Sequence, residues 1–408
     1  MLSLLRRNRD FRAVFCAQVI SYAGDWFATV AVLGLVIDLT HSDLAASLVF
    51  VSQTLPGFLM TPLAGPAADR FDRRRLMLGV SIAQIGAALL FLTVGEGTAW
   101  LAFVAQGSIA ALGAFFQPAS QAALPNLVDS DDLATATVLM AATWGAMLAV
   151  GAALGAAFTV AFGRDASFVA DAASFAIAAV LIASVRRSMN GSRARPAGRM
   201  RPIADTAEGI RFARGHRDVL ALLASKMGFG LSAGVAGLLA VLATRRFHAG
   251  DAGTGLLLAA RGVGVVVGPF LIRRIVARGA HAIMLTCGVA ALVFAAGYAV
   301  VSVAGVIALA AVGVLIAHLG GGAQWTASTY GLQVVTPDEF RGRIFSTDYA
   351  LVTLTMSVSF TIAGLAAESF GPQPVIGALA ALSAVWASAY LFFTRQLRAE
   401  WAATALSG

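Results

Sequence analysis

Gly65-Pro66-Ala67-Ala68-Asp69-Arg70-Phe71-Asp72-Arg73-Arg74-Arg75 separates two long apolar stretches, 44–64 and 76–94. Its charges are confined to a short turn at the end of a hydrophobic hairpin. The arginines fix which side of a membrane that turn occupies, because basic residues accumulate in cytoplasmic loops. A plain positive-inside anchor explains the arginines but leaves Asp69 and Asp72, set among them, without a role.

Outward from this turn, composition decides the class. The 408 residues are 59% hydrophobic and 12% charged, where soluble domains carry about 25% charged residues. The chain reads as an integral membrane protein. Its net charge of +8 does not indicate nucleic acid, since the basic residues fall at the ends of apolar spans and are not interleaved with exposed aromatics. Anionic lipid headgroups are the expected partner for them. Cys16 and Cys287 both lie inside apolar stretches, so no disulfide framework is implied.

With about 20 apolar residues per crossing, spans fall near 11–37, 44–64, 75–95, 98–122, 133–162, 165–185, 219–243, 252–272, 280–302, 304–333, 344–367 and 373–393. The fold class is therefore an all-α integral membrane protein of twelve transmembrane helices in two six-helix halves, 1–185 and 219–408. The segment 186–218, rich in Arg, Pro, Gly and Ser, is the linker, and 203–214 within it suits a short helix lying on the membrane. Most of the 29 basic residues sit in 1–12, 70–75, 186–217, 273–278, 341–343 and 395–398, all on one side. Only Arg164, Arg245 and Arg246 occupy the opposite turns. Both termini and the linker are expected to be cytoplasmic, in the inner membrane of a bacterium. The halves repeat weakly at nearly one offset: Arg9-Asp10 and Arg217-Asp218, Gly65-Pro66 and Gly268-Pro269, Asp131-Asp132-Leu133 and Asp338-Glu339-Phe340. Such repeats fit a transporter fold.

The pattern Gly-x-x-x-Asp-Arg-x-x-Arg-Arg at 65–74 resembles the loop between helices two and three of the major facilitator superfamily. Several stretches also resemble its bacterial siderophore and macrolide exporter branch. They are Ser21-Tyr22-Ala23-Gly24-Asp25-Trp26, Phe116-Gln117-Pro118-Ala119, Ala172-Ala173-Ser174-Phe175 and Pro337-Asp338-Glu339-Phe340-Arg341-Gly342-Arg343. Asp72 departs from the superfamily's usual glycine, span four lacks the arginine of many proton-coupled drug exporters, and span five has no Gly-Pro. The resemblance implies a cytoplasmic gate formed by Gly65, Asp69, Arg70, Arg73 and Arg74 with the start of span eleven. In it Asp69 faces that helix N-terminus, whose dipole favours a carboxylate, Arg343 adds to the contact, and Asp348 accepts Arg70 or Arg73.

Charges in mid-span cost about 2.5 to 3.5 kcal/mol each on insertion scales. That cost singles out Asp25 in span one, Arg261 in span eight and His318 in span ten as coupling or substrate residues. Asp25 is the candidate proton carrier, with a helix-turn cap as its alternative, and the alternative for His318 is a satisfied core histidine. Asp171 and Lys226 lie nearer span ends, where they read as structural. Gly151 and Gly155, and Gly264 and Gly268, are each four apart on one helix face, a spacing for close packing between the halves or a coincidence of composition. Trp26, Phe115, Phe116, Trp144 and Trp325 suit an apolar ligand or simple packing.

The expected activity is export of a small amphiphilic organic compound in exchange for protons, by a monomer without cofactor or metal. Import or uniport on the same fold is the alternative, and a membrane scaffold or sensor is a third reading. An enzyme would need a nucleophile with its base or a metal cluster. The histidines are dispersed, with no His-Glu-x-x-His spacing.

Overall fold

The computed structural model describes residues 2–190, 202–276 and 278–406. Among them, twelve helices are long and apolar enough to cross a membrane. They are, in order, Arg9–Thr40, Asp43–Ala64, Arg73–Thr93, Trp100–Leu127, Thr143–Phe162 and Arg164–Ala183 in the first six, then Arg217–Arg246, Gly250–Val276, His281–Ser302, Ile307–Val335, Phe340–Phe370 and Pro372–Phe393. We refer to these as spans one to twelve.

Local chemistry sets where the spans begin and end. Asn8 caps span one, its side chain accepting from the Phe11 amide at 2.9 Å, and the helix stops at His41 in the left-handed region, φ 49°. Asp72 caps span three by accepting from the Arg75 amide at 2.8 Å. The residue that departs from the superfamily pattern thus satisfies one of the orphan N–H groups that open a helix. Single glycines at positive φ join spans five to six and eleven to twelve, Gly163 at 86° and Gly371 at 78°. Those values favour glycine, and the two equivalent joints repeat across the halves.

Span seven is broken. Regular helix ends at Leu231 and resumes at Gly234, and Ser359 of span eleven mends the gap. Its hydroxyl donates to the Leu231 carbonyl at 2.6 Å and accepts from the Gly234 amide at 2.9 Å. In lipid, freed backbone groups must find partners of this kind. The break carries Gly230-Leu231-Ser232-Ala233-Gly234, the Gly-x-Ser-x-Gly spacing of a hydrolase nucleophile. That chemistry needs a strand-to-helix elbow and an adjacent base. Ser232 instead lies buried at the break between two helical pieces of a membrane span, and its hydroxyl has no hydrogen-bond partner among the described residues.

The chain forms two compact units: residues 1–41, 52–200 and 249–259, and residues 42–51, 201–248 and 260–408. They depart from the sequence halves at two places, the first residues of span two and of span eight. The first unit is built around Phe11, Val14, Met77, Leu124, Leu127 and Ile182, and the second around Val219, Leu222, Ile283, Met284, Leu332 and Ile344. Large apolar side chains such as Phe162, Val180 and Phe393 remain exposed, as suits a surface solvated by lipid.

The glycine pairs pack closely, but within their own halves. A Cβ on Gly155 would lie 2.7 Å from the Phe27 backbone, and one on Gly151 would lie 3.0 Å from Trp26, both in span one. A Cβ on Gly264 would lie 2.7 Å from the Leu315 carbonyl and 2.8 Å from His318. Gly268 meets Leu319 and Ala323 of the same span ten. The small-residue contacts that join one half to the other are instead Gly255 of span eight against Ala152 and Ala156 of span five, inside the first unit, and Gly237 and Gly364 against Ser47 of span two, inside the second. The spacing was legible, but the partner helix depends on rotation about the axis, which four-residue spacing does not encode. We expect Gly264→Leu to lower the thermal unfolding midpoint, since overpacking costs about 1–3 kcal/mol. Gly79→Ala, with open space at that position, should leave it unchanged. Equal midpoints for both would show that span eight can shift away from span ten.

Pro202–Gly215 in the linker is a helix, but it lies against protein. Phe212 stacks on Phe340 at 4.3 Å, Glu208 pairs with Arg343 at 3.4 Å, and Gly209 meets Arg343 and Thr347. Residues 191–201 of the linker lie outside the described residues.

Candidate functional site

In the first unit, two carboxyls meet. Asp171 of span six is fully buried and close enough to Asp25 of span one for the two to interact electrostatically. Gly24 permits this approach, since a Cβ there would sit 2.6 Å from Asp171 Oδ1. Ser174 donates to that oxygen at 3.5 Å. Asp25 Oδ1 and Asp171 Oδ2 have no hydrogen-bond partner, and no cation pairs with either carboxylate among the described residues. Span one runs unbroken through Asp25, which removes the turn-cap reading. Nearby, the Asp25 carbonyl accepts from Thr29, whose hydroxyl accepts from Gln53 at 2.9 Å. Trp26 packs edge-on to Trp144.

In the second unit, Arg261 and His318 are buried, at 7% and 2% exposure, and interact electrostatically. His318 Nε2 bonds the Tyr298 hydroxyl at 2.8 Å, while its Nδ1 is without a partner. Among the described residues Arg261 has neither carboxylate nor hydrogen-bond acceptor at Nε or Nη1, and its guanidinium lies 6.0 Å from the Phe50 ring. From His318 an aromatic ladder runs through Phe294 and Phe229 to Trp325. At its end Lys226 lies 4.7 Å over the Trp325 ring and forms a buried ion pair with Asp348. Asp348, expected to accept Arg70 or Arg73, is engaged by Lys226 of its own unit, and Lys226 is not a surface anchor. Both corrections have one cause: the two side chains lie on spans far apart in sequence that packing brings together.

At the arginine-rich turn, Arg73 donates to the carbonyls of Ala122 and Met189 at 2.7 and 3.1 Å, and Arg74 to that of Ala183. Asn190 bridges Asp72 and the Arg73 amide. These contacts staple the start of span three to the ends of spans four and six within the first unit. Arg70 is exposed, and Arg343 is engaged by Glu208. The side-chain surroundings of Gly65 and Asp69 lie outside the described residues.

Two ion clusters on the arginine-poor side were not anticipated. Arg164 at the start of span six holds Asp38 at 2.7 Å and grips Asp251 of span eight with two nitrogens, at 3.0 and 3.2 Å. Gly34 leaves the space for them. Arg245 at the end of span seven pairs with Asp43 of span two at 2.6 Å. Glu368 of span eleven accepts from Ser42 and from the Leu44 amide, at the positive end of the span two dipole. The clusters share one matching member, Asp43 and Asp251 at the starts of spans two and eight, and differ at another, where Asp38 ends span one and Arg245 ends span seven. A signal was present in the sequence, since Arg164 and Arg245, with Arg246, are the only arginines on that side and carboxylates flank them.

Twelve spans with a buried carboxyl pair, a buried guanidinium and a buried ion pair define a polytopic transporter of the major facilitator class. Its backbone is similar to that of a bacterial homologue of the human lysosomal transporter Spinster in an inward-facing, unoccupied conformation, with TM-score 0.75, 14% identity and coverage of 94% of this chain and 96% of that one. It is also similar to a POT peptide transporter, with TM-score 0.77, 11% identity and coverage of 97% and 96%. At such identities the likeness is one of fold. The chain belongs to the transmembrane secretion effector family of the major facilitator superfamily, whose profile matches residues 2–407. The uncharacterized transporter Mb0038c of Mycobacterium bovis is 28% identical over 417 residues, covering 91% of this chain and 88% of that protein. YfiS of Bacillus subtilis is 28% identical over 212 residues, or 51% of this chain, and the match spans only 50% of YfiS.

Proposed function

We propose that this protein exports a small amphiphilic organic compound, of the siderophore or macrolide kind, from the bacterial cytoplasm by alternating access, in exchange for protons. The observation that carries the proton step is the Asp25–Asp171 pair. Two buried carboxyls that interact electrostatically, with no cation paired to either among the described residues, disfavour carrying charge together, so one of them can take up a proton and release it when access changes sides. Placing the arginine-rich face in the cytoplasm puts the Arg164 and Arg245 clusters on the outer side. There each ties a span of the first six to a span of the last six, so the clusters act as latches that open once per cycle.

The test is flux in proteoliposomes of defined orientation, with and without an imposed pH gradient, over a panel of siderophores, macrolides and lipids. Outward movement against a concentration gradient, driven by the pH gradient, is expected. Inward movement, or flux indifferent to pH, would replace the proposal with import or uniport.

The latch reading makes its own prediction. Arg164→Gln leaves Asp38 and Asp251 without their cation. Each such pair is worth up to about 1 kcal/mol, so the conformational balance should shift by about five- to thirtyfold. Labelling of cysteines placed on the outer half of span one should rise accordingly, and unchanged labelling would reduce the cluster to a surface feature.

A further inference from the structure

This chain buries two basic side chains among the described residues, Lys226 and Arg261. It treats them differently. Lys226 is given a carboxylate, Asp348, and an aromatic face, Trp325. The half-buried Arg164 and Arg245 are likewise given carboxylates. Arg261 has none. Its Nε and Nη1 donate to nothing among the described residues, the Tyr298 hydroxyl bonds His318 rather than the guanidinium, and the Phe50 ring offers only a weak attraction. A guanidinium presents donors in a planar fork that matches an oxyanion in a bidentate way. Leaving two of its nitrogens, Nε and Nη1, unpaired in the middle of a span is costly, and intramembrane charges of this sort mark substrate pathways.

We propose that Arg261 receives the anionic group of the transported molecule, an amphiphile bearing a carboxylate. This inference rests on the transport reading and narrows its substrate class. His318 Nδ1, also without a partner, supplies a second polar contact beside the guanidinium. The rings of Phe50, stacked on Phe360 at 5.4 Å, and of Phe294 and Tyr298 offer the apolar walls that the body of such a molecule needs. Recognition is then divided by chemistry: the guanidinium fixes the head and the rings hold the body. The carboxyl pair, on the other unit, is left to carry the proton.

The experiment compares 1-pyrenebutyrate with its neutral analogue 1-pyrenebutanol. Binding is read by pyrene fluorescence to the full chain in nanodiscs of phosphatidylcholine only, so that the membrane presents no net anionic headgroup. Wild type should bind the acid at least tenfold more tightly than the alcohol. Arg261→Gln should lose that preference while binding the alcohol as before, and Arg261→Lys, which keeps the charge but not the fork, should keep part of it. Thermal unfolding checks that each variant is folded, and the Lys variant carries the test if the Gln variant is not. Equal affinities in wild type, no binding of either probe, or a preference that survives in Arg261→Gln would overturn the proposal. Proton-driven flux measured on the same preparation separates the two readings. Flux without acid preference removes only this inference, and acid preference without proton-driven flux removes only the coupling.

Discussion

Asp25→Asn is expected to abolish uphill, pH-driven export, reducing it to the level of protein-free vesicles. A residue that gives up and regains a proton in each cycle cannot be replaced by its amide without uncoupling, whereas one that only fills a polar niche often can. Exchange of substrate between the two sides need involve no net proton step, so the variant should still equilibrate labelled substrate. Because Asp171 is the buried partner of Asp25, Asp171→Asn should damage coupling as well, and Asp25→Glu should retain part of the activity. Full proton-driven export by Asp25→Asn would move the carrier role to Asp171 alone. Full export by the double amide would end the carboxyl-pair mechanism.

The second large effect concerns Lys226 and Asp348, whose side chains are only 4% and 5% exposed. Removing one partner of a buried pair strands the other charge, at a cost of about 3–5 kcal/mol. Lys226→Met should therefore lower folded yield and the thermal midpoint sharply. Replacing both, with Lys226→Met and Asp348→Leu, removes the stranded carboxylate and should recover most of the loss. If the single variant melts like wild type, Asp348 is accepting a proton or reaching water. If the double variant is as poor as the single one, packing against Trp325 matters more than charge.

What the sequence made legible follows from the cost of charge in lipid. Twelve apolar runs, the linker between the sixth and seventh, and the mid-span Asp25, Arg261 and His318 all stand out against a hydrocarbon background. Asp171 and Lys226 did not, because depth along a helix was used as a proxy for burial. Asp171 lies near its span's end yet is fully buried, since Gly24 lets spans one and six approach. The partner of Lys226 lies on span eleven, and no local spacing announces a pairing set by packing. The interruption of span seven was hidden for a related reason: Ser359, which mends it, is itself on span eleven.

The exchange of short helix ends between the units bears on how the chain is made. Residues 42–51 count with the second unit and 249–259 with the first. A ribosome delivers the first six spans well before residue 249 exists, so the first unit waits, incomplete, for the opening of span eight. The beginning of span two waits longer, because Gly364 and Glu368, which receive it, are on span eleven. Folding cannot proceed one half at a time. The early spans must stay in the bilayer as a provisional assembly, with Arg164 facing an aspartate not yet synthesised, until the last helices arrive.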